Sequence, residues 1–209
     1  MFNELMVVGG LFWSATYILI IKRGFKDKTF GMPFAALCAN ISWEAIFSFV
    51  MPHSAPQIYI NYVWFALDAV IVYQFLKFGR REFVQFPPKI MYGMFILGIV
   101  TAFPMIMFVN SEFADTSGAF SAFGQNLMMS ALFIMMLVNR RDIRGQSIYI
   151  ALFKLLGTGI SSIAFFTYKI LAQESSLLQF IFVMIFVYDL IYLTMVYHKS
   201  KGQNPWRRM

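Results

Sequence analysis

Glu44 lies in GMPFAALCANISWEAIFSFVM, residues 31–51, a stretch apolar for about the length that crosses a bilayer on a helix. At 1.5 Å rise per residue it sits roughly 16 Å past Pro33, near the middle of a hydrocarbon core about 30 Å thick. An ionisable group there costs at least about 2.5–3.5 kcal/mol, so it must face protein, a cavity or a partner. Helical spacing sets Asn40, Glu44 and Ser48 on one stripe, with Trp43 beside it. Two further acids share this depth. Asp68 shares a stripe with Asn61 and Trp64, roughly 15 Å in from Ile58, and Asp189 stands between Tyr188 and Tyr192, roughly 16–20 Å from its helix end. None of these three helices supplies a midplane cation. Unpaired burial disfavours the ionised form, and a second carboxyl nearby disfavours it further, so at least one acid is expected to keep its proton at neutral pH. Such a group is a proton donor in an apolar site, suited to an acid-initiated reaction of a hydrophobic substrate. The same acids would also serve a proton relay, or a polar clamp between helices.

The remaining polar residues extend the picture. Gln125 and Asn126, with Ser130 one turn below, can line the mouth of a cavity or bond between helices. Lys154 and Lys169 lie within two turns of a helix end, so both are expected to snorkel. His53 and His198 fall at helix ends, and carboxylates alone make a weak zinc site, so no metal and no cofactor is expected. Trp43, Phe47, Trp64, Tyr73, Phe165, Tyr168, Tyr188 and Tyr192 are candidates to wall a central pocket, and aromatic faces attract cations, carbocations included.

The elements that must position these groups follow from composition. The chain is 59% hydrophobic, 19% aromatic and 13% charged, where soluble domains run nearer 25% charged. The expected fold is therefore an all-α integral membrane protein, a single seven-transmembrane-helix bundle over residues 1–209. Its spans read as about 5–21, 33–51, 58–76, 89–109, 120–138, 148–172 and 176–197. Lys22, Arg23, Lys26 and Lys28 occupy the first loop, and Lys77, Arg80, Arg81 and Lys89 the third. Arg140, Arg141 and Arg144 occupy the fifth, and Lys199, Lys201, Arg207 and Arg208 the tail. The even loops have no Lys or Arg, which places the N-terminus outside or lumenal and the C-terminus in the cytoplasm. Topology thus accounts for the +7 net charge, and nucleic acid is not expected as a partner. Cys38 has no partner for a disulfide.

The segments MPFAALCANISWEAIF, YVWFALDAVIVY, FGQNLMMSALFI and FVYDLIYL resemble the small integral-membrane terpene cyclases of fungal meroterpenoid and indole-diterpene pathways, the paxilline-type group, and their bacterial relatives. The N-x-x-W-E pattern at Asn40–Glu44 and Y-D-L-I-Y at Tyr188–Tyr192 are the most specific parts. The chain is somewhat shorter than fungal members. The resemblance implies that Glu44 and Asp189 are the acids essential for starting cyclisation, with Asp68 a third recurrent acid. It also implies protonation of a terminal epoxide or alkene of a prenyl chain, then ring closure through carbocations, without metal or diphosphate ionisation. The sequence has neither a D-D-x-x-D run nor a D-x-D-D motif.

The expected partners are a hydrophobic isoprenoid substrate and the lipid bilayer, in the endoplasmic reticulum of a eukaryote or the plasma membrane of a bacterium. The competing reading is a heptahelical transporter that uses the same carboxylates as a relay. Pro56-Gln57 is its faint signature, and the two three-helix halves show no similarity to support it.

Overall fold

A bilayer offers no water to unpaired backbone groups, so an apolar chain must close its hydrogen bonds within each segment. The computed structural model describes residues 1–140 and 142–202. Arg141, Arg207 and Arg208 of the basic loops lie outside the described residues. All regular structure among the described residues is helical: α1 (Phe2–Asp27), α2 (Phe34–Ala45), α3 (Gln57–Phe78), α4 (Pro88–Glu112), α5 (Ala119–Asn139), α6 (Ile148–Tyr168), short α7 (Ile170–Glu174) and α8 (Ser176–Ser200). Six helices are long and apolar enough to span a membrane, and the seventh apolar segment, Phe34–Val50, is shorter. The protein is a multi-pass integral membrane protein.

Local chemistry sets the ends. Pro87 and Pro88 open α4, where a missing N–H costs nothing. Ser147 and Ser175 cap α6 and α8, each accepting a bond from a backbone N–H three residues on. Beyond Ala45, α2 widens into a π turn over Ile46–Val50, directly after Glu44. The sixth span is shorter than the expected 148–172. α6 stops at Tyr168, and Lys169 is an extended residue before α7.

Helix contacts close a ring in the order α1, α3, α2, α5, α8, α6 and back to α1. α4 lies outside it on α2 and α5, and buries few of its residues. α1 and α6 cross closely at glycines: a Cβ on Gly9 would lie 3.2 Å from the Gly157 carbonyl oxygen, and one on Gly157 would lie 2.8 Å from the Trp13 ring. Gly157 thus permits the close approach its position suggests, whereas Gly159 faces open space.

The basic end is tied by Arg140. Its guanidinium meets Glu82 at 2.9 Å, donates to the Phe30 carbonyl at 3.0 Å and covers the Phe30 ring. Thr29 donates to the same Glu82. Burial pulls the Arg140 pKa below its ordinary value, and Glu82 opposes that shift.

Candidate active site

The ring encloses a cavity of about 300 Å³ that runs from Glu44 to the end of the bundle where α1 begins. Tyr17, Asn40, Glu44, Trp64 and Met129 form its inner part, and Asn3, His53, Gln57, Ser117 and Lys169 stand at its mouth. Trp13, Trp43 and Phe165 complete an aromatic wall. Two indoles are fixed by hydrogen bonds. Trp43 Nε1 donates to Ser121 Oγ at 3.2 Å, and Trp64 Nε1 donates to Ser14 Oγ at 3.0 Å.

Glu44 is sealed from solvent on every side but the cavity. Its Oε1 accepts from Tyr17 Oη at 2.8 Å and from Asn40 Nδ2 at 3.1 Å. Asn40 Nδ2 also lies 2.7 Å from Asp68 Oδ2 and beside the Tyr17 hydroxyl, so its two N–H groups are shared among three acceptors. The carboxyls of Glu44 and Asp68 are neighbours, both reached by the Asn40 amide. Glu44 Oε2 and Asp68 Oδ1 are buried and receive no other donor, so a proton held between the two acids has these oxygens to occupy. Asp68 itself lies behind Glu44 and does not line the cavity.

Asp189 belongs to a second cluster, because α5 stands between α2 and α8. It does not line the central cavity. The expectation that Lys154 snorkels fails: its ammonium is fully buried, 2.6 Å from Asp189 Oδ1 and 2.6 Å from Ser130 Oγ. Lys154 also donates to Asn126 Oδ1 at 3.2 Å, and Asn126 donates to Thr158 at 2.8 Å. Asn126 and Thr158 line the cavity, so this cluster reaches its wall through an amide and a hydroxyl. Lys169, by contrast, stands exposed at the mouth just past the end of α6, its ammonium 4.3 Å from the Phe2 ring centroid.

Of the residues singled out by sequence, Asn40, Trp43, Glu44, Trp64, Gln125, Asn126 and Phe165 meet at the cavity. Gln125 presents a buried Oε1 without a partner. Phe47, Tyr73, Tyr168, Tyr188 and Tyr192 do not line it. Tyr73 and Tyr168 are exposed, Tyr188 is half-buried, and Tyr192 packs under Phe133 at 5.2 Å. Trp13, Tyr17 and Lys154 were missed, although the signals exist. Trp13 and Tyr17 are one turn apart in mid-span, and Lys154 shares a stripe with Ala151 and Thr158.

At the mouth, His53 stacks on Phe47 with centroids 4.4 Å apart. Ser117 O lies 3.1 Å from its Nε2, and Asn61 Nδ2 lies 3.0 Å from its Nδ1. A carbonyl needs a donor and an amide N–H needs an acceptor, so this pairing requires the neutral ring with its proton on Nε2. Burial holds the His53 pKa below its ordinary value.

These contacts describe an aromatic-walled cavity with a carboxyl acid at its inner end. The chain is similar over 91% of its length to a Pyr4-family terpene cyclase of Annulohypoxylon moriforme, at 29% identity and covering 83% of that protein. It is 27% identical to a terpene cyclase of Penicillium terrestre over 76% of this chain and 64% of that one, thus less than two thirds of the relative's length. The terpene cyclase pyr4 of Aspergillus fumigatus is 28% identical over 76% of this chain and 67% of its own. No solved structure matches. The family model of Pyr4-like transmembrane terpene cyclases matches residues 1–203, and the chain belongs to that family.

Proposed function

We propose that the protein is a membrane terpene cyclase in which Glu44 protonates a prenyl chain held in the central cavity. The carrying observation is the juxtaposition of a buried carboxyl, backed by Asp68, with the rings of Trp13, Tyr17, Trp43 and Trp64. In this reading Glu44 gives its proton to a terminal epoxide oxygen or alkene carbon, and the electrons of its O–H bond stay on the carboxylate. The carbon left electron-poor is attacked by the next double bond, and ring closure continues until a proton is lost or a nucleophile is captured. The aromatic faces stabilise the migrating positive charge. Asp68 is the proton partner of Glu44. Asp189, neutralised by Lys154, holds Asn126 on the cavity wall and takes no part as a donor.

The proposed substrate is a prenylated aromatic or meroterpenoid precursor, its chain inward and its polar head at the mouth beside Gln57, Ser117 and Lys169. The reaction proceeds without a metal, protonation being the trigger. The basic loops support a cytoplasmic C-terminus and a cavity that opens on the opposite face of the membrane. Incubation of purified protein with prenylated aromatics and their epoxides, followed by product analysis, tests the reading. Cyclised product is expected from wild type, and Glu44→Gln is expected to lose about 10²–10⁴ in rate. A Glu44→Gln protein that cyclises at near wild-type rate ends it.

A further inference from the structure

Tyr17 lies on α1, a helix with no carboxyl in the site, yet it lines the cavity beside Glu44 and donates to that carboxyl. It is 2% exposed, and its ring stands between Trp13, at 5.9 Å, and Trp64, at 6.3 Å. Trp64 is itself held by Ser14, so the phenol oxygen has little freedom. Both donors to Glu44, Tyr17 and Asn40, meet the same oxygen, Oε1. This assigns Oε1 as the acceptor and leaves Oε2 to carry the transferable proton.

We infer that Tyr17 is a positioning residue that stabilises the carboxylate formed on Glu44 as the proton leaves. The inference rests on the cyclase reading. A hydrogen bond to a carboxyl oxygen becomes charge-assisted once that group is anionic, so the Tyr17 bond strengthens along the reaction coordinate. An interaction stronger in the transition state than in the ground state raises kcat and leaves KM little changed. Tyr17 keeps its own proton throughout. The O–H bond of Glu44 breaks as the substrate gains the proton, and the proton shed by the final cation, or by the captured nucleophile, restores the carboxyl.

The test compares Tyr17→Phe with wild type on a substrate that wild type cyclises. Loss of one hydrogen bond to a charged group predicts a fall in kcat of about 10- to 100-fold. KM is expected to stay within about threefold, since uniform binding is untouched. An infrared readout needs no turnover: the Glu44 carboxyl C=O band, assigned by its disappearance in Glu44→Gln, moves to higher wavenumber when its donor is removed. Replacing Tyr17 by 3-fluorotyrosine, nearly isosteric and a stronger donor, moves the same band lower. An unchanged kcat, a loss carried by KM, or a band that moves in neither variant overturns the inference. Inactive Glu44→Gln together with fully active Tyr17→Phe ends this inference and leaves the cyclase reading standing. Active Glu44→Gln ends the reading itself.

Discussion

Lys154 Nζ lies 2.6 Å from Asp189 Oδ1, and both side chains are sealed from solvent within the helix ring. The pair joins α6 to α8 and, through Ser130 and Asn126, both to α5. Removing one member leaves an uncompensated charge in an apolar interior, at a cost of about 3–5 kcal/mol. Lys154→Met and Asp189→Leu are therefore each expected to lower the thermal midpoint in detergent sharply. The double variant should recover most of that loss, because two well-packed apolar side chains replace a buried pair at little cost. A double variant as unstable as the sum of the singles would show that the ion pair does not set the stability.

Asp68 accepts from Asn40 and contacts Glu44 without lining the cavity. Asp68→Asn is expected to slow turnover about tenfold, the scale of one hydrogen-bonded partner, and far less than Glu44→Gln. Single-turnover rates measure both. An Asp68 variant as dead as Glu44→Gln would make Asp68 the donor.

Trp64 faces the cavity beside Tyr17 and is anchored to Ser14. Trp64→Leu removes a cation–π contact worth about 0.5–2 kcal/mol. Initiation should persist while incompletely cyclised products rise severalfold, as read by mass spectrometry. An unchanged product ratio would remove Trp64 from the cation's path.

His53 is held neutral at the mouth, its pKa lowered from 6.5 chiefly by burial. The folded protein binds fewer protons here than the unfolded chain, so its stability rises with pH. The contribution is complete above about pH 6.5 and declines as pH falls below that value. The thermal midpoint should drop between pH 7.5 and 5.5, and by less in His53→Asn. Equal drops in both proteins would assign the effect elsewhere.

The helices were legible because hydropathy acts locally: a run of apolar residues must satisfy its backbone within itself, wherever its neighbours lie. The end of the sixth span was not, since Lys169 leaves the helix to stand at the cavity mouth, a position defined by the packing of Phe2. Glu44 was readable as a buried mid-helix carboxyl from its position alone, and Asn40 and Trp43 as its neighbours from helical spacing.

What the sequence determined by itself was the class of the protein, the order of its apolar helices and the position of each acid along its own helix. Which acids share a site was decided by the order of helices around the ring. Depth places Glu44, Asp68 and Asp189 at one level, but a level is a plane, and angular position within it comes from tertiary packing. α3 brings Asp68 to Glu44, while α5 separates Asp189 from both. The glycine crossing of α1 and α6 sets Trp13 against Lys154, and the packing of α1 beside α3 puts Tyr17 against the acid. Lys154 is buried because a carboxylate on another helix meets it, and no property of α6 alone encodes that partner.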